Sequence, residues 1–195
     1  MSAPDKPACE PTATPAPVLL IRPDANERDA AALAGYGVET TVDPWLTVSP
    51  VTEPAAAHRL AGMLAASAKG TVLVITSPRT WSHWGALVGG KALERGLGAA
   101  LGNGLQIWCT GRGTAESLPE GLGEAVRTAP NGEALANALN HEVLPALGHL
   151  IAGEPLVLLP GSDISREELP AALGAAGWRV VRAAVYRTRP RTPLP

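Results

Sequence analysis

Three short segments gather hydroxyls, glycines and arginine directly after apolar runs: Thr76-Ser77-Pro78-Arg79, Thr110-Gly111-Arg112-Gly113-Thr114-Ala115, and Pro160-Gly161-Ser162-Asp163-Ile164-Ser165-Arg166-Glu167-Glu168. Where a strand passes into a helix, free backbone N–H groups and the helix dipole favour an anion, by ~0.3–1 kcal/mol at an exposed site. Ser77 and Ser165 read equally well as ordinary N-caps, with Pro78 at a first helical position and Ser165 and Glu168 forming a capping box. Tyr186, one of two tyrosines, ends the last apolar run and precedes Arg187-Thr188-Arg189-Pro190. A phenol there is either a general acid beside a leaving group or an interface anchor with its hydroxyl in water.

Other chemistries lack their residues. Gly85 to Ala92 spells G-x-x-x-x-G-K-A, but a phosphate-binding loop needs Ser or Thr after the lysine and must join a strand to a helix. No G-x-G-x-x-G follows the first apolar run. His58, His83, His141 and His149 show no metal-ligand spacing, and the two cysteines, Cys9 and Cys109, form no pair with them. Cys109 reads as a buried strand residue and not as a thiolate nucleophile. Trp81 and Trp84, three apart, read as a helix face packed on a sheet, with a stacking platform as the other option.

These candidates must be held by elements that the hydrophobic pattern locates. Val18 to Ile21 is a short continuous apolar run, suited to a strand covered on both faces. A helix near 26–35 stops at Gly35 and Gly37, and Val38 to Val42 reads as a second strand. The stretch from Pro44 to Pro54 reads as a linker. Then follow a helix over 55–67, a strand over 72–75, a helix from Pro78 toward Val88 and a Gly-rich stretch, 89–104, that is partly helical at best. A strand over 105–109, a helix from about Thr114, a short strand near 125–127 and a long helix from Glu133 come next. Strand 156–159, helix 166–176 and strand 178–186 complete the pattern. Strands regularly separated by helices predict an α/β fold with a parallel sheet, whose ligand sits beyond the strands' carboxyl ends.

The 195 residues carry 16 Lys+Arg against 18 Asp+Glu, a net charge of -2, which argues against electrostatic capture of nucleic acid or of an anionic membrane surface. No run of 18 apolar residues occurs, and the proline- and acid-containing start is unlike a signal peptide. With no disulfide framework, a cytoplasmic protein is expected. Residues 1–16, proline-rich and without periodicity, read as a disordered tail.

Taken in order, Val18-Leu19-Leu20-Ile21-Arg22-Pro23 with Gly35-Tyr36-Gly37-Val38, then Val74-Ile75-Thr76-Ser77-Pro78-Arg79, Gly111-Arg112-Gly113-Thr114-Ala115, Leu158-Leu159-Pro160-Gly161 with Ser165-Arg166-Glu167-Glu168-Leu169, and Gly177 through Ala184-Val185-Tyr186-Arg187-Thr188 resemble the uroporphyrinogen-III synthase family. The resemblance covers about residues 17–190. It implies two αβα domains with parallel sheets, joined by two extended crossings, with the site in the cleft between them. On that plan residues 17–43 start domain one, 44–52 cross, 53–178 form domain two, and 179–195 are the returning crossing and the C-terminal end. The family carries a second serine-proline turn and a second glycine-to-threonine-alanine turn in the closing half of domain one. This sequence has one copy of each, so the second domain is expected complete, the first only in part, and the chain truncated relative to the family.

The resemblance further implies cyclisation of hydroxymethylbilane, a linear tetrapyrrole with eight carboxylates, to uroporphyrinogen III with loss of water and inversion of ring D. It implies no metal and no organic cofactor. Tyr186 matches the crossing tyrosine that assists departure of the hydroxyl, and Thr114 the cleft threonine. Ser77, Gly111 and Ser165, with Thr76 and Gly113 in the same turns, match substrate-carboxylate contacts, and Arg79 and Arg166 are further candidates. Two other readings remain: a non-catalytic tetrapyrrole- or anion-binding pseudoenzyme, and a sensing module for a neutral small molecule, similar in plan to two-lobed sugar-binding proteins.

Overall fold

A computed structural model describes residues 16–24, 26–147 and 154–191. The expected tail, except for its last residue, lies outside the described residues, as do Cys9, His149 and whatever continues the expected long helix beyond Leu147. The chain divides into two compact units, Met1–Thr47 with Arg189–Pro195, and Val48–Thr188.

In the first unit, strand β1 (Val18–Leu20), helix α1 (Asn26–Ala34) and strand β2 (Thr40–Val42) form one βαβ element with β1 and β2 parallel, Val18 opposite Thr40. Gly37 takes the left-handed turn between α1 and β2 at φ +71°, where a side chain would be strained. The Arg22 guanidinium pairs with Asp29 of α1 at 2.8 Å.

The second unit holds most of a six-stranded sheet in the order β3-β8-β7-β4-β5-β6. Its strands are β3 (Leu46–Ser49), β4 (Thr71–Ile75), β5 (Gln106–Thr110), β6 (Val126–Ala129), β7 (Leu156–Ser162) and β8 (Arg179–Pro190). Pairings among β4 to β8 are parallel. The expected α/β class with a parallel sheet is therefore what the chain adopts. The continuous apolar runs of the second unit are strands with both faces covered: all five β4 residues are buried, Leu73 and Ile75 toward one core and Val72 and Val74 toward the other. The run at Val18–Ile21 is not covered as its pattern predicts: Val18, Leu19 and Ile21 are 36%, 48% and 42% exposed, because the two-stranded β1–β2 pair has too few neighbours to bury them. The first core is closed by α2 (Ala55–Ala65), α3 (Arg79–Val88) and α4 (Gly90–Gly102). The second is closed by α6 (Gly132–Ala138), the π-helical turn Leu139–Val143, α7 (Leu144–Leu147) and α8 (Glu168–Ala175). Between these lies α5 (Arg112–Ala115), a single turn after β5.

Several elements differ from the pattern reading. Residues 90–102 are helical throughout although four glycines lie among them, because Leu93, Leu97 and Ala100 bury one stripe of α4. Gly96 lets α4 approach α2 closely: a Cβ there would stand 3.3 Å from the Cβ of Ala65. This packing offsets the ~1 kcal/mol that each interior glycine costs a helix. Inside the proline-rich stretch, Leu46–Ser49 forms β3 beside β8, with Pro44 and Pro50 flanking the strand and not interrupting its ladder. The helix from Thr114 is only one turn, and the helix from Glu133 widens to a π turn after Ala138.

Candidate functional site

Chain order defines where a ligand can sit. From β4 the chain moves to β5 and then β6 on one side, then returns to place β7 on the other, so the strand order reverses between β4 and β7. Helices diverge at such a point and leave a crevice at the carboxyl edge. A cleft of about 800 Å3 lies there, on the α6–α8 side, within the ~300–1,000 Å3 usual for small-molecule sites. Thr76 after β4, Thr110 at the end of β5 and Leu159 of β7 form its floor, with Asn131, Glu133 and Asn140 on one wall and Ser165, Arg166 and Glu168 on the other.

Of the residues singled out in the sequence, Thr76, Ser165 and Arg166 come together in this cleft. Their polar groups are partly committed. The Thr110 hydroxyl donates to the Thr76 carbonyl at 3.0 Å, and the Ser165 hydroxyl to the Ser162 carbonyl at 2.8 Å. The Ser165–Glu168 capping box therefore does not form, and α8 has no side-chain cap. Arg166 is exposed, and among the described residues no carboxylate pairs with it. Around the N-terminus of α8 stand two acids of its own, Glu167 and Glu168, which weaken it as an anion site. The Arg182 guanidinium, hydrogen-bonded to Glu167 at 2.6 Å, holds that carboxyl below its ordinary value.

A second group lies toward the other core. Ser77 accepts from the Arg79 N–H at 3.3 Å, and the α3 that follows has no acid in its first turn. Of the three turns, this one best keeps the expected anion-binding character. Gly111, at φ +78°, leads into α5 and gives its N–H to the Ala129 carbonyl at 2.7 Å. Gly113 and Thr114 lie in that single turn, too short for a helix dipole, so anion binding on that ground falls away here; Thr114 is 4% exposed. Tyr186 is 5% exposed and packs in the α2–α3–α4 core, its ring 5.2 Å from that of His83. His83 was set aside in the sequence for want of metal partners; only the contact with Tyr186 marks it. Asn140 was also missed. The π turn carries it, and its amide accepts from Trp178 Nε1 at 3.1 Å and donates to the Ala172 carbonyl at 3.4 Å.

The remaining motifs fall as follows. Gly85 lies in α3 and Gly90-Lys91 begin α4, so the lysine motif joins two helices and cradles no phosphate. Trp81 and Trp84 are core residues in an edge-to-face pair with centroids 6.0 Å apart. Among the described residues no three His, Cys, Asp or Glu side chains gather to hold a metal, and no helix is long and apolar enough to cross a membrane. Burial pushes the Cys109 thiol up to about 12. Native Cys109 should therefore resist iodoacetamide at about pH 8 and react once urea unfolds the chain, read by peptide mass spectrometry; rapid native labelling would contradict this. An unfolded thiol releases its proton near ~8.5, so above that pH this group lowers stability until the native thiol also ionises.

An open, mostly parallel sheet covered on both faces, with a cleft at the carboxyl edge where strand order reverses, defines a doubly wound α/β domain. No curated protein matches the chain. The profile of the family described as uroporphyrinogen-III synthase HemD matches residues 27–195, and the chain belongs to that family. Among solved structures it is similar to a mutant uroporphyrinogen III synthase of Thermus thermophilus (19% identity, TM-score 0.57, 89% of this chain and 64% of that one). The wild-type Thermus thermophilus enzyme is similar at 20% identity and TM-score 0.51, over 90% of this chain and 63% of that one. These likenesses concern the fold, and the chain spans somewhat less than two thirds of those chains.

Proposed function

We propose that the chain acts as a uroporphyrinogen-III synthase in the cytoplasm, closing hydroxymethylbilane to uroporphyrinogen III and water. The observation that carries this reading is Tyr186, which matches the family's crossing tyrosine and sits buried near the carboxyl end of β8 against His83. The phenol donates its proton to the departing hydroxyl as the C–O bond breaks, and water leaves an azafulvene cation. Ring D then attacks through a spiro intermediate, reopens inverted and closes the macrocycle, and loss of a ring proton restores the balance. Electrostatic support of the cation and exclusion of bulk water favour this route over unassisted closure. Ser77 and Arg79 lead into α3, which packs in the same core as Tyr186, Thr114 lies in α5, whose Ala115 borders that core, and the amides ahead of α3 suit substrate carboxylates. Gly111 and Gly113 border Thr114, while Thr76, Ser165 and Arg166 would serve other carboxylates from the cleft.

The test is cyclisation of freshly made hydroxymethylbilane by the purified chain, with the product oxidised and resolved into isomers. Unassisted closure makes type I, so an excess of type III is the expected result, and type I alone from folded protein overturns the reading. One feature favours a binding protein without turnover. The cleft is lined on the α6–α8 side, whereas Tyr186 faces the other core, so a tetrapyrrole held in the cleft need not meet the phenol. That alternative predicts saturable binding of uroporphyrinogen with no effect on isomer ratio.

A further inference from the structure

Along β8 the side chains alternate between the two cores until Val185. Val181, Ala183 and Val185 pack on the α2–α3–α4 side, so strict alternation would turn Tyr186 to the α8 side. Tyr186 instead joins the same core as Val185. The cause is a register shift: Gly161 pairs with Ala184, but Ser162 pairs with Tyr186, and Val185 is left over as a β-bulge. A bulge gives up part of the ladder and re-aims the side chain beside it, so neighbouring groups must hold it.

Those groups converge on Asp163, the first residue beyond β7. Its N–H donates to the Tyr186 carbonyl at 3.1 Å. Its Oδ1 accepts from the Thr188 N–H at 3.1 Å and from the Ser162 hydroxyl at 3.3 Å, and its Oδ2 stands 3.8 Å from Nε of Arg187. The chain is thus gripped at 186, 187 and 188 by one residue. Gly161 leaves room for the Ser165 hydroxyl, which would stand 2.8 Å from a Cβ at 161 and would have to rotate away from it.

We propose that Asp163 is a positioning residue for the Tyr186 phenol: its carboxylate locks the bulge that turns the ring toward His83. The catalytic consequence rests on the reading of Tyr186 as proton donor; the positioning does not. Tyr36 and Tyr186 are the only tyrosines, so protein grown with 3-fluorotyrosine gives two fluorine resonances, assigned with Tyr36→Phe and Tyr186→Phe. Asp163→Ala is expected to move the Tyr186 resonance toward its unfolded position and leave that of Tyr36 in place. Asp163→Asn, whose amide oxygen still accepts from Thr188, is expected to keep it near the wild-type position. In the cyclisation assay Asp163→Ala should lower kcat for type III product by about 10²-fold with KM little changed, because the phenol and not the binding surface is displaced, and Asp163→Asn should restore most of it. If the alanine variant does not fold, Asp163→Glu, with its carboxylate displaced by one methylene, should give the same resonance shift. An unmoved Tyr186 resonance in Asp163→Ala, or in Asp163→Glu where that replaces it, overturns the proposal, as does an asparagine variant as displaced as alanine. A wild-type chain that makes only type I overturns the functional reading alone, since the resonances still decide the positioning.

Discussion

Tyr186→Phe is expected to abolish most of the type III excess, by about 10²–10⁴-fold in rate, the usual yield of a positioned general acid. The substitution removes one oxygen from a residue that is 5% exposed and keeps the ring that packs with Val185 and His83, so folding should be little affected. Binding should change little as well, because the phenol is needed only as the hydroxyl leaves; the loss should appear in kcat. Single-turnover mixing with hydroxymethylbilane, quenched and oxidised, separates this from a slow product release. A variant that retains wild-type isomer ratio and rate would remove Tyr186 from the chemistry and leave electrostatics and confinement as the only means of steering ring D.

The second large effect concerns stability. Trp84→Ala should cost about 3–5 kcal/mol, the range for truncating a fully buried aromatic side chain. Trp84 is wholly buried among α2, α3 and α4, stands edge-on to Trp81, and donates its indole N–H to the buried Ala57 carbonyl at 3.0 Å. The truncation opens a cavity and strips that carbonyl of its donor together. Against a total of about 5–15 kcal/mol for a domain, this should bring the unfolding midpoint in urea down sharply. Trp84→Phe, which fills most of the space without the donor, should lose much less, and circular dichroism at equilibrium measures both. Equal midpoints for the wild type and the alanine variant would mean that α3 is not anchored through this ring.

How far the sequence foretold all this depended on the kind of signal. Val72 to Ile75 and Ile107 to Cys109 are apolar without interruption, and such runs are legible because a strand covered on both faces has no polar side to interrupt it. The helix at 90–102 was not legible: its glycines argue against a helix locally, and only contact with Ala65 makes one of them useful. Likewise β3 hides between prolines, since a strand that pairs with residues far along the chain leaves no local trace. At the candidate site the strand-to-helix turns were found through their hydroxyls and glycines. Which of them share a cleft was not, because Thr76 and Ser165 are brought together by strand order and Tyr186 is turned away by a bulge with no sequence mark. His83 and Asn140 owe their placement to α3 packing and to a π turn, neither of which has a pattern to read.

The pairing of Thr47 with Arg189 has a consequence for how the chain comes into being. The Thr47 hydroxyl meets the Arg189 carbonyl at 3.5 Å across 142 residues, and the Arg191 N–H meets the Trp45 carbonyl at 2.8 Å. On a ribosome the amino-terminal partner emerges early and has nothing to pair with until nearly all of the described chain has been made. Neighbours β4 and β5 can zip as they appear, whereas β3 must wait for β8 and bear the entropy of closing the largest loop in the sheet. The last of the described strands to be synthesised is therefore the one that completes the edge begun first. A stall or cleavage before residue 179 would leave β3 unpaired in the nascent protein.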